Sequence, residues 1–369
     1  MIEHDFTYQI QEILQSHFGN NASTVLKESE LLEYLNIKTK SATRGSKSRG
    51  SFANHYAIYV LVEDYIKGEF DKNNDYENYE GARYSDLLSR QRELPFGSKL
   101  QNHALNHRMN QEFKKYFPTC EYIPILRNSE TNRYWINENL LKISVAGAAH
   151  NIAYAVIEII DAYIDIKTDS FHQFIASCEK IQQLQSEDPN KAQEFITSLI
   201  QPNMDARIFE IVSFAILKEY YADQVIYWGW TLDSIQKASL ILHKTGRTNA
   251  NDGGIDFVMH PLGRFFQVTE TTDVRKHFLD IDKVQRFPVT FVIKSSESID
   301  VITNKISAQA KKSYGVAKIV RRYMECIEEI INVQILLNHF NKVVENNRLQ
   351  NVIEEIVLQS KVEFNYYQE

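Results

Sequence analysis

The sequence predicts a mixed α/β fold: a mixed central β-sheet flanked by helices, a mostly helical N-terminal region and a helical C-terminal tail. Three observations support this prediction. Apolar residues recur at helical spacing through most of the first 200 residues. Two short β-rich runs, residues 255–259 and 265–270, follow one another across a turn. A predicted helix then separates them from a third apolar run, residues 287–294, and such a crossover implies a mixed sheet.

The composition indicates a globular protein of the reducing cytoplasm. At 369 residues, with 43% hydrophobic and 24% charged residues, the chain is long enough for two domains or for one with a large elaboration. It has no apolar run long enough for a transmembrane helix and no signal-peptide layout at its start. Its three cysteines are far apart and odd in number, which argues against a disulfide framework and a cysteine-ligated zinc site: Cys120, Cys178 and Cys326.

The elements divide into three predicted regions: helical residues 1–200, a core at 201–300 and a helical extension at 301–369 used for packing or dimerisation. Within the first region, apolar spacing predicts helices at 10–18, 25–35, 52–66, 99–117, 145–164 and, as a pair, 170–200. The core begins with an amphipathic helix at 205–221 and a strand at 224–230. After the two β-rich runs, a helix at 272–285 has Asp273 in its first turn.

Each of the two β-rich runs contains an acidic residue where a buried strand is normally apolar. Asp256 lies at the start of the first run and Glu270 at the end of the second. Burying a carboxylate costs several kcal/mol unless a cation or hydrogen bonds compensate for it. Two carboxylates on neighbouring strands therefore indicate a site for a divalent metal ion.

With Asp256 at the start of one hairpin strand, an acidic second strand and Glu210 on the preceding helix, this segment resembles the catalytic core of the PD-(D/E)XK nucleases. More narrowly, the chain resembles type II restriction endonucleases. The resemblance covers about a quarter of the chain and implies Mg²⁺-dependent hydrolysis of double-stranded DNA at a specific site. It also implies a homodimer on palindromic DNA and a cognate DNA methyltransferase that acts on the same site.

The second strand departs from the family's acid-x-Lys signature, because it has Gln267-Val268-Thr269-Glu270. Strand alternation puts Gln267 and Thr269 on one face and Glu270 on the other. Either Gln267 is the second site residue, with Thr269 in the lysine position, or Glu270 is the metal ligand through a bulge or twist. The substitute for the lysine is open as well: Lys294, Arg275 or Lys276.

Each candidate also has a purely structural interpretation. Asp256 can cap a turn, Glu270 can begin the next helix, and Glu210 can form a buried ion pair. Gln267 can be a residue that forms structural hydrogen bonds without belonging to the site. Lys294 can be a solvated residue at the end of a strand. The alternative functions are a repair or structure-specific nuclease of the same fold, or a catalytically inactive DNA-binding protein.

DNA-contact residues are predicted in three places. The first is a basic segment without acidic residues: Lys38, Lys40, Arg44, Lys47 and Arg49. The second is rich in the Arg and Asn side chains that read base edges: Arg83, Arg90, Arg92, Lys99, Asn102, Asn106 and Arg108. The third approaches the acidic strand: Lys244, Arg247 and Asn249. Solvated charge and a polar helix surface are the competing interpretations. The apolar stripe at residues 316–337 is a candidate dimer surface.

Overall fold

The computed structural model describes residues 3–40, 42, 48–72, 75–97, 100, 104–145, 147–184, 188–245, 255–270 and 272–364. The fold is mixed α/β, as the sequence predicts, and its contacts divide the chain into two compact units, Met1–Gln173 and Phe174–Glu369. Within the described ranges, no helix is both long and apolar enough to cross a membrane.

The first unit is built around helices that bury aromatic and aliphatic side chains such as Tyr56 and Ile159. Its helices are α1 (Asp5–Phe18), α2 (Ala22–Glu28), α3 (Glu30–Thr39), α4 (Ser48–Lys67), α5 (Tyr84–Glu93), α6 (Met109–Tyr116) and the start of α7 (Ala153–Leu184). A π-helical turn, Ala104–Arg108, precedes α6. The predicted helix at 25–35 is wrong as a single element, because Ser29 ends α2 and its side chain accepts from Leu32 N at the start of α3.

Two small antiparallel sheets correct the prediction of an almost entirely helical first region. One contains β1 (Ala82–Arg83), β2 (Ile125–Asn128) and β3 (Arg133–Ile136), and the other contains β4 (Lys142–Val145) and β5 (Ala148–Asn151). The helix predicted from residue 145 therefore begins at Ala153, where the Asn151 side chain accepts from its backbone N–H. Gly147, with φ of +81°, makes the turn between β4 and β5.

The second unit contains these elements in chain order: the end of α7, α8 (Pro189–Leu199), α9 (Ala206–Tyr221), β6 (Val225–Trp228), β7 (Gln236–Ser239), β8 (Ile241–Lys244), β9 (Phe257–His260), β10 (Arg264–Thr269), α10 (Val274–Lys283), β11 (Val289–Ile293), α11 (Ile299–Tyr314), α12 (Ala317–Met324), β12 (Ile327–Ile331), α13 (Val333–Glu345) and α14 (Leu349–Phe364). The predicted elements at 205–221, 255–259, 265–270, 272–285 and 287–294 are all present.

A five-stranded mixed sheet in the order β8-β9-β10-β11-β12 forms the centre of the second unit. Strands β8, β9 and β10 are antiparallel neighbours, whereas β10, β11 and β12 run parallel. Two predictions need correction. Strand β12 interrupts the segment after residue 301 that was predicted to be helical, and the strand predicted at 224–230 pairs with β7 in a separate hairpin. Strand β12 was not predicted because Glu328 and Glu329 interrupt its apolar pattern.

Each face of this sheet is covered by its own layer of helices. Helices α9, α13 and α14 pack on the face that presents Phe257 and Phe266. Helices α10, α11 and α12 pack on the face that presents Phe291 and Ile293. Phe266 is on the α9 face. Because side chains alternate along a strand, Gln267 and Thr269 are on the opposite face, which α10 covers. The end of β10 is therefore covered by the first turn of α10.

Candidate active site

Asp256 and Gln267 are brought together by the antiparallel pairing of β9 and β10. The backbone N–H of Asp256 donates to Phe266 O at 3.1 Å, which continues the ladder one residue before β9 begins. Carboxylate Oδ2 of Asp256 then accepts from Gln267 Nε2 and from Val268 N, each at 2.7 Å. Two donors on one oxygen fix the orientation of the carboxylate.

The side chain of Gln267 ends in a buried oxygen without a hydrogen-bond partner among the described residues. Gln267 is 6% exposed, and its Nε2 is used by Asp256 while its Oε1 has no donor. An unpaired buried carbonyl costs roughly 1–3 kcal/mol, so such an atom calls for a water or a cation. A carboxylate and an amide oxygen are ligand types that Mg²⁺ accepts, and here the amide nitrogen of Gln267 is the atom that faces the Asp256 carboxylate. The two residues therefore fit a divalent cation, with water completing its coordination.

A metal ion at this site would not be bound by carboxylates alone. The described residues contain no group of three or more His, Cys, Asp or Glu side chains arranged for a metal ion. Glu270 lies one residue beyond β10, where alternation turns it to the α9 face. There it forms an ion pair with Lys294, whose Nζ also donates to Met204 O at 2.6 Å. The cap of α10 is Asp273, not Glu270.

A lysine from α10 contacts Thr269, the residue that the resemblance predicts for the lysine position if Gln267 is the second site residue. The side chain of Asp273 accepts from Arg275 N at 3.0 Å and so fixes the start of α10. Lys276, in the first turn, donates from Nζ to Thr269 Oγ1 at 3.1 Å, and Thr269 is buried.

Glu210 and Lys244 form an ion pair of 3.3 Å between α9 and β8, with side chains 16% and 15% exposed respectively. This contact agrees with the structural interpretation of Glu210, in which it forms a buried ion pair. Lys244 lies one residue before Thr245, whose backbone N–H donates to Asp256 O at 3.0 Å. The pair therefore braces the strand that holds Asp256.

One buried histidine on the α10 face was not anticipated from the sequence. His277 Nδ1 lies 2.9 Å from Asp273 O, so Nδ1 carries the proton and Nε2 is a buried acceptor with no partner among the described residues. Its ring packs 4.6 Å from that of Phe291, which pairs with Gln267 in the sheet. Burial lowers the pKa of His277 and keeps the imidazole neutral. No pattern in the sequence around His277 predicts that it is buried.

Several predicted DNA-contact residues of the first unit make intramolecular contacts. Lys38 pairs with Glu112 at 2.5 Å, and both side chains are largely buried. Arg90 makes three hydrogen bonds to Glu63, from Nη2 to Oε1 at 2.9 Å and from Nε to Oε2 at 3.0 Å and to Oε1 at 3.3 Å. Burial alone would raise the pKa of Glu63, but hydrogen bonds from Arg90 and Lys67 lower it overall.

The other predicted DNA contacts have different positions. Arg83 is exposed and, together with Arg90, lines a polar cavity of about 410 Å³. Lys40 and Arg108 are exposed, and Arg92, also exposed, donates to Leu100 O. Arg49 lies in α4 and Asn106 in the π-helical turn. The remaining ones lie outside the described residues: Arg44, Lys47, Lys99, Asn102, Arg247 and Asn249.

Comparison with known proteins adds no assignment. No protein-family model matches the chain, and searches of curated proteins and of solved structures give no significant match. The function is therefore argued from the geometry around Asp256 and Gln267.

Proposed function

We propose that this protein is a Mg²⁺-dependent nuclease of the type II restriction class, which hydrolyses double-stranded DNA at a specific short sequence. One observation carries the proposal. Asp256 and Gln267 lie side by side on a β-hairpin, where the amide nitrogen of Gln267 donates to the carboxylate and its buried amide oxygen has no partner among the described residues, and Lys276 contacts Thr269 on the same face. This combination provides hard oxygen ligands and a cation in one place.

The order of the surrounding elements supports the same function. Helix α9, the antiparallel strands β8 to β10, helix α10 and the parallel strand β11 follow each other as the resemblance to PD-(D/E)XK nucleases implies. Asp256 comes directly before the second strand, where the resemblance implies an Asp, whereas Gln267 on the third strand takes the place of the acid that it implies.

Each side chain has a distinct role in the proposed reaction, in which a water oxygen bonds to phosphorus and the ester bond to the leaving sugar oxygen breaks. A bound Mg²⁺ would supply water activation and charge neutralisation at the phosphate. Asp256 and Gln267 would hold that ion. Lys276 orients the attacking water or stabilises the negative charge that develops on the phosphate oxygens.

Glu270, Lys294 and Glu210 are assigned supporting roles. The Lys294–Glu270 pair joins the ends of β10 and β11 to the backbone at Met204, and the Glu210 pair braces β8. We infer that Gln267, not Glu270, is the second metal-proximal residue, because it is the one in contact with Asp256.

A restriction role would place the enzyme in the cytoplasm as a homodimer, since most such sites are palindromic and a two-fold protein matches a two-fold site. A methyltransferase of the same specificity would protect the host DNA. Plasmid digestion in Mg²⁺ tests the proposal: discrete fragments are expected from the wild type and from the exposed-surface control Asp233→Ala, and none from Asp256→Ala. If the wild-type protein leaves the plasmid intact across a range of salt concentrations, with Mg²⁺ and with Mn²⁺, the proposed nuclease activity is rejected.

A DNA-binding protein without nuclease activity is the second candidate. It is favoured by the missing acid at position 267 and by the two hydrogen bonds that already occupy Asp256 Oδ2. Sequence-specific binding with no strand breaks under any divalent cation would distinguish it from the nuclease.

A further inference from the structure

A strongly basic surface lies on the second unit, outside the Asp256–Gln267 pair, and it overlaps the start of the candidate dimer surface at residues 316–337. Between Asp300 and Glu325 the chain has six lysines and arginines and no acidic residue. All six are exposed, and five of them lie at the end of α11 and along α12: Lys311, Lys312, Lys318, Arg321 and Arg322. We call these five residues the α11–α12 basic surface. In α12, Lys318, Arg321 and Arg322 have the spacing that places side chains on one helix face.

The five cations are not neutralised by ion pairs in the part of the chain that the structure describes. Among the residues that the structure describes, none of the five has a carboxylate within ion-pair distance, whereas Lys305 on α11 pairs with Glu297. The chain has a net charge of −7, so this concentration of positive charge runs against its overall balance. Uncompensated charge of one sign raises the local potential and attracts polyanions.

This surface is structurally continuous with the candidate active site. The backbone N–H of Val274, at the start of α10, donates to Gln309 Oε1 at 3.2 Å, two residues before Lys311. The same turn of α10 carries Lys276, which contacts Thr269 at the end of β10. The first turn of α10 therefore connects the basic surface to the strand that holds Gln267.

An aromatic stack holds the three helices of this layer together. Phe278 of α10 is stacked against Tyr323 with ring centres 4.3 Å apart and against Tyr314 at 5.1 Å. Exposed Val316 and Ile319 lie between the cations, at 51% and 43% exposure. The cations are thus presented by a packed layer, which limits the side-chain and backbone entropy lost on binding.

We propose that the α11–α12 basic surface binds the sugar–phosphate backbone of duplex DNA next to the bond that is cut. The inference rests on the proposed nuclease function and adds to it the surface that positions the substrate. Its contacts are to phosphates, so they contribute affinity and orientation on any sequence and no base preference. Cations near the ends of helices also stabilise the helix dipole, but that role contributes to folding and not to DNA affinity.

The test measures duplex affinity against salt concentration with Asp256→Ala protein, so that cleavage cannot interfere. Lys311→Ala/Lys312→Ala and Lys318→Ala/Arg321→Ala are compared with Lys180→Ala/Lys191→Ala, two exposed lysines of α7 and α8. Each lost phosphate contact should reduce the slope of log K against log salt by about 0.9, and a double variant should weaken binding roughly tenfold at moderate salt. The control should behave as the parent protein does, and thermal unfolding verifies that all are folded.

The outcomes separate this inference from the nuclease proposal. Loss of affinity that is equal on specific and random duplexes, with a reduced salt slope, supports the basic surface. Affinity and slope equal to those of the control would overturn the surface while plasmid cleavage by the wild type still stood. Binding to phosphatidylserine vesicles that these substitutions abolish, with duplex affinity unchanged, would assign the surface to a membrane and overturn the inference. If the wild type neither binds nor cuts DNA, both proposals fall.

Discussion

Lys276 Nζ lies 3.1 Å from the hydroxyl of Thr269, on the same face of the sheet as the Gln267–Asp256 hydrogen bond. The ammonium group therefore contacts the strand residue that the resemblance predicts for the lysine position, although it comes from the next helix. What matters for a catalytic cation is its position in space relative to the phosphate, and the chain position from which it comes does not matter. The first turn of α10, fixed by the Asp273 cap, supplies that place.

Replacing Lys276 should lower cleavage without lowering DNA affinity in proportion. Lys276→Met keeps the length of the side chain but removes the charge, and a single transition-state contact of this kind is worth about 10²–10³ in kcat. Single-turnover cleavage measures the effect separately from binding. Lys276→Arg should recover part of the rate.

Arg275→Ala is the matched control for Lys276. Arg275 has the same charge and the same helix turn, but its guanidinium is held by Asp273 at 3.1 Å. Its loss should leave the cleavage rate close to that of the wild type. Equal loss in both variants would mean that only the net charge of the turn matters, and would remove Lys276 from the reaction.

Gln267 should determine how the protein responds to divalent cations. Gln267→Ala removes the buried Oε1 and the hydrogen bond to Asp256, so we expect cleavage to be lost. Gln267→Glu puts a second carboxylate beside Asp256, and the repulsion between them is relieved by a bound cation. Mg²⁺ should therefore stabilise Gln267→Glu against thermal unfolding more than it stabilises the wild type. The same shift in both proteins would contradict a metal site at this pair.

Glu270 should be more important for stability than for chemistry. Its partner Lys294 is 4% exposed, so Glu270→Gln leaves a buried ammonium without its counter-charge. We expect a loss of roughly 1–3 kcal/mol in unfolding free energy, with cleavage largely kept in the folded fraction. The double variant Glu270→Gln/Lys294→Met should recover part of that stability. Abolished cleavage by a fully folded Glu270→Gln protein would return the metal-ligand role to Glu270.

The sequence predicts the β9–β10 hairpin well because its signals are local. Alternation identifies β9 and β10, and the cost of burial marks Asp256. The choice between Gln267 and Glu270 needed the pairing register, which only the folded sheet defines. The contact of Lys276 with Thr269 depends on how α10 packs, and no pattern in the sequence encodes that distance. Strand β12 was missed because its two glutamates break the apolar alternation.

Arg90 should affect folding before it affects DNA recognition. Its guanidinium is bound to Glu63 through three hydrogen bonds, and the hydrogen bonds lower the pKa of that carboxyl. Arg90→Ala should therefore reduce the unfolding free energy by roughly 1 kcal/mol, most visibly at pH values where Glu63 is ionised. Urea titration measures this. An unchanged midpoint together with loss of affinity at one base position would instead support a base contact by Arg90.

The buried His55 should make the first unit lose stability in acid. Its ring is 0% exposed, packs 4.8 Å from the ring of Tyr163, and has no hydrogen-bond partner for either nitrogen among the described residues. Burial, with the nearby charge of Lys38, lowers the pKa of His55 from 6.5 to about 3. The unfolded chain thus binds a proton that the folded chain refuses, so the cost appears as pH falls below about 6.5 and grows until the folded pKa is reached.

His55→Leu removes that proton-linked cost and two buried polar atoms. The difference in unfolding free energy between the variant and the wild type should therefore grow in favour of the variant by about 1.4 kcal/mol for each pH unit below about 6.5. Urea titrations at about pH 7.5 and about pH 5 measure the change. The exposed residue His107, replaced by Gln, is the control and should show no such growth. A difference that is the same at both pH values would show that His55 is not held neutral in the folded protein.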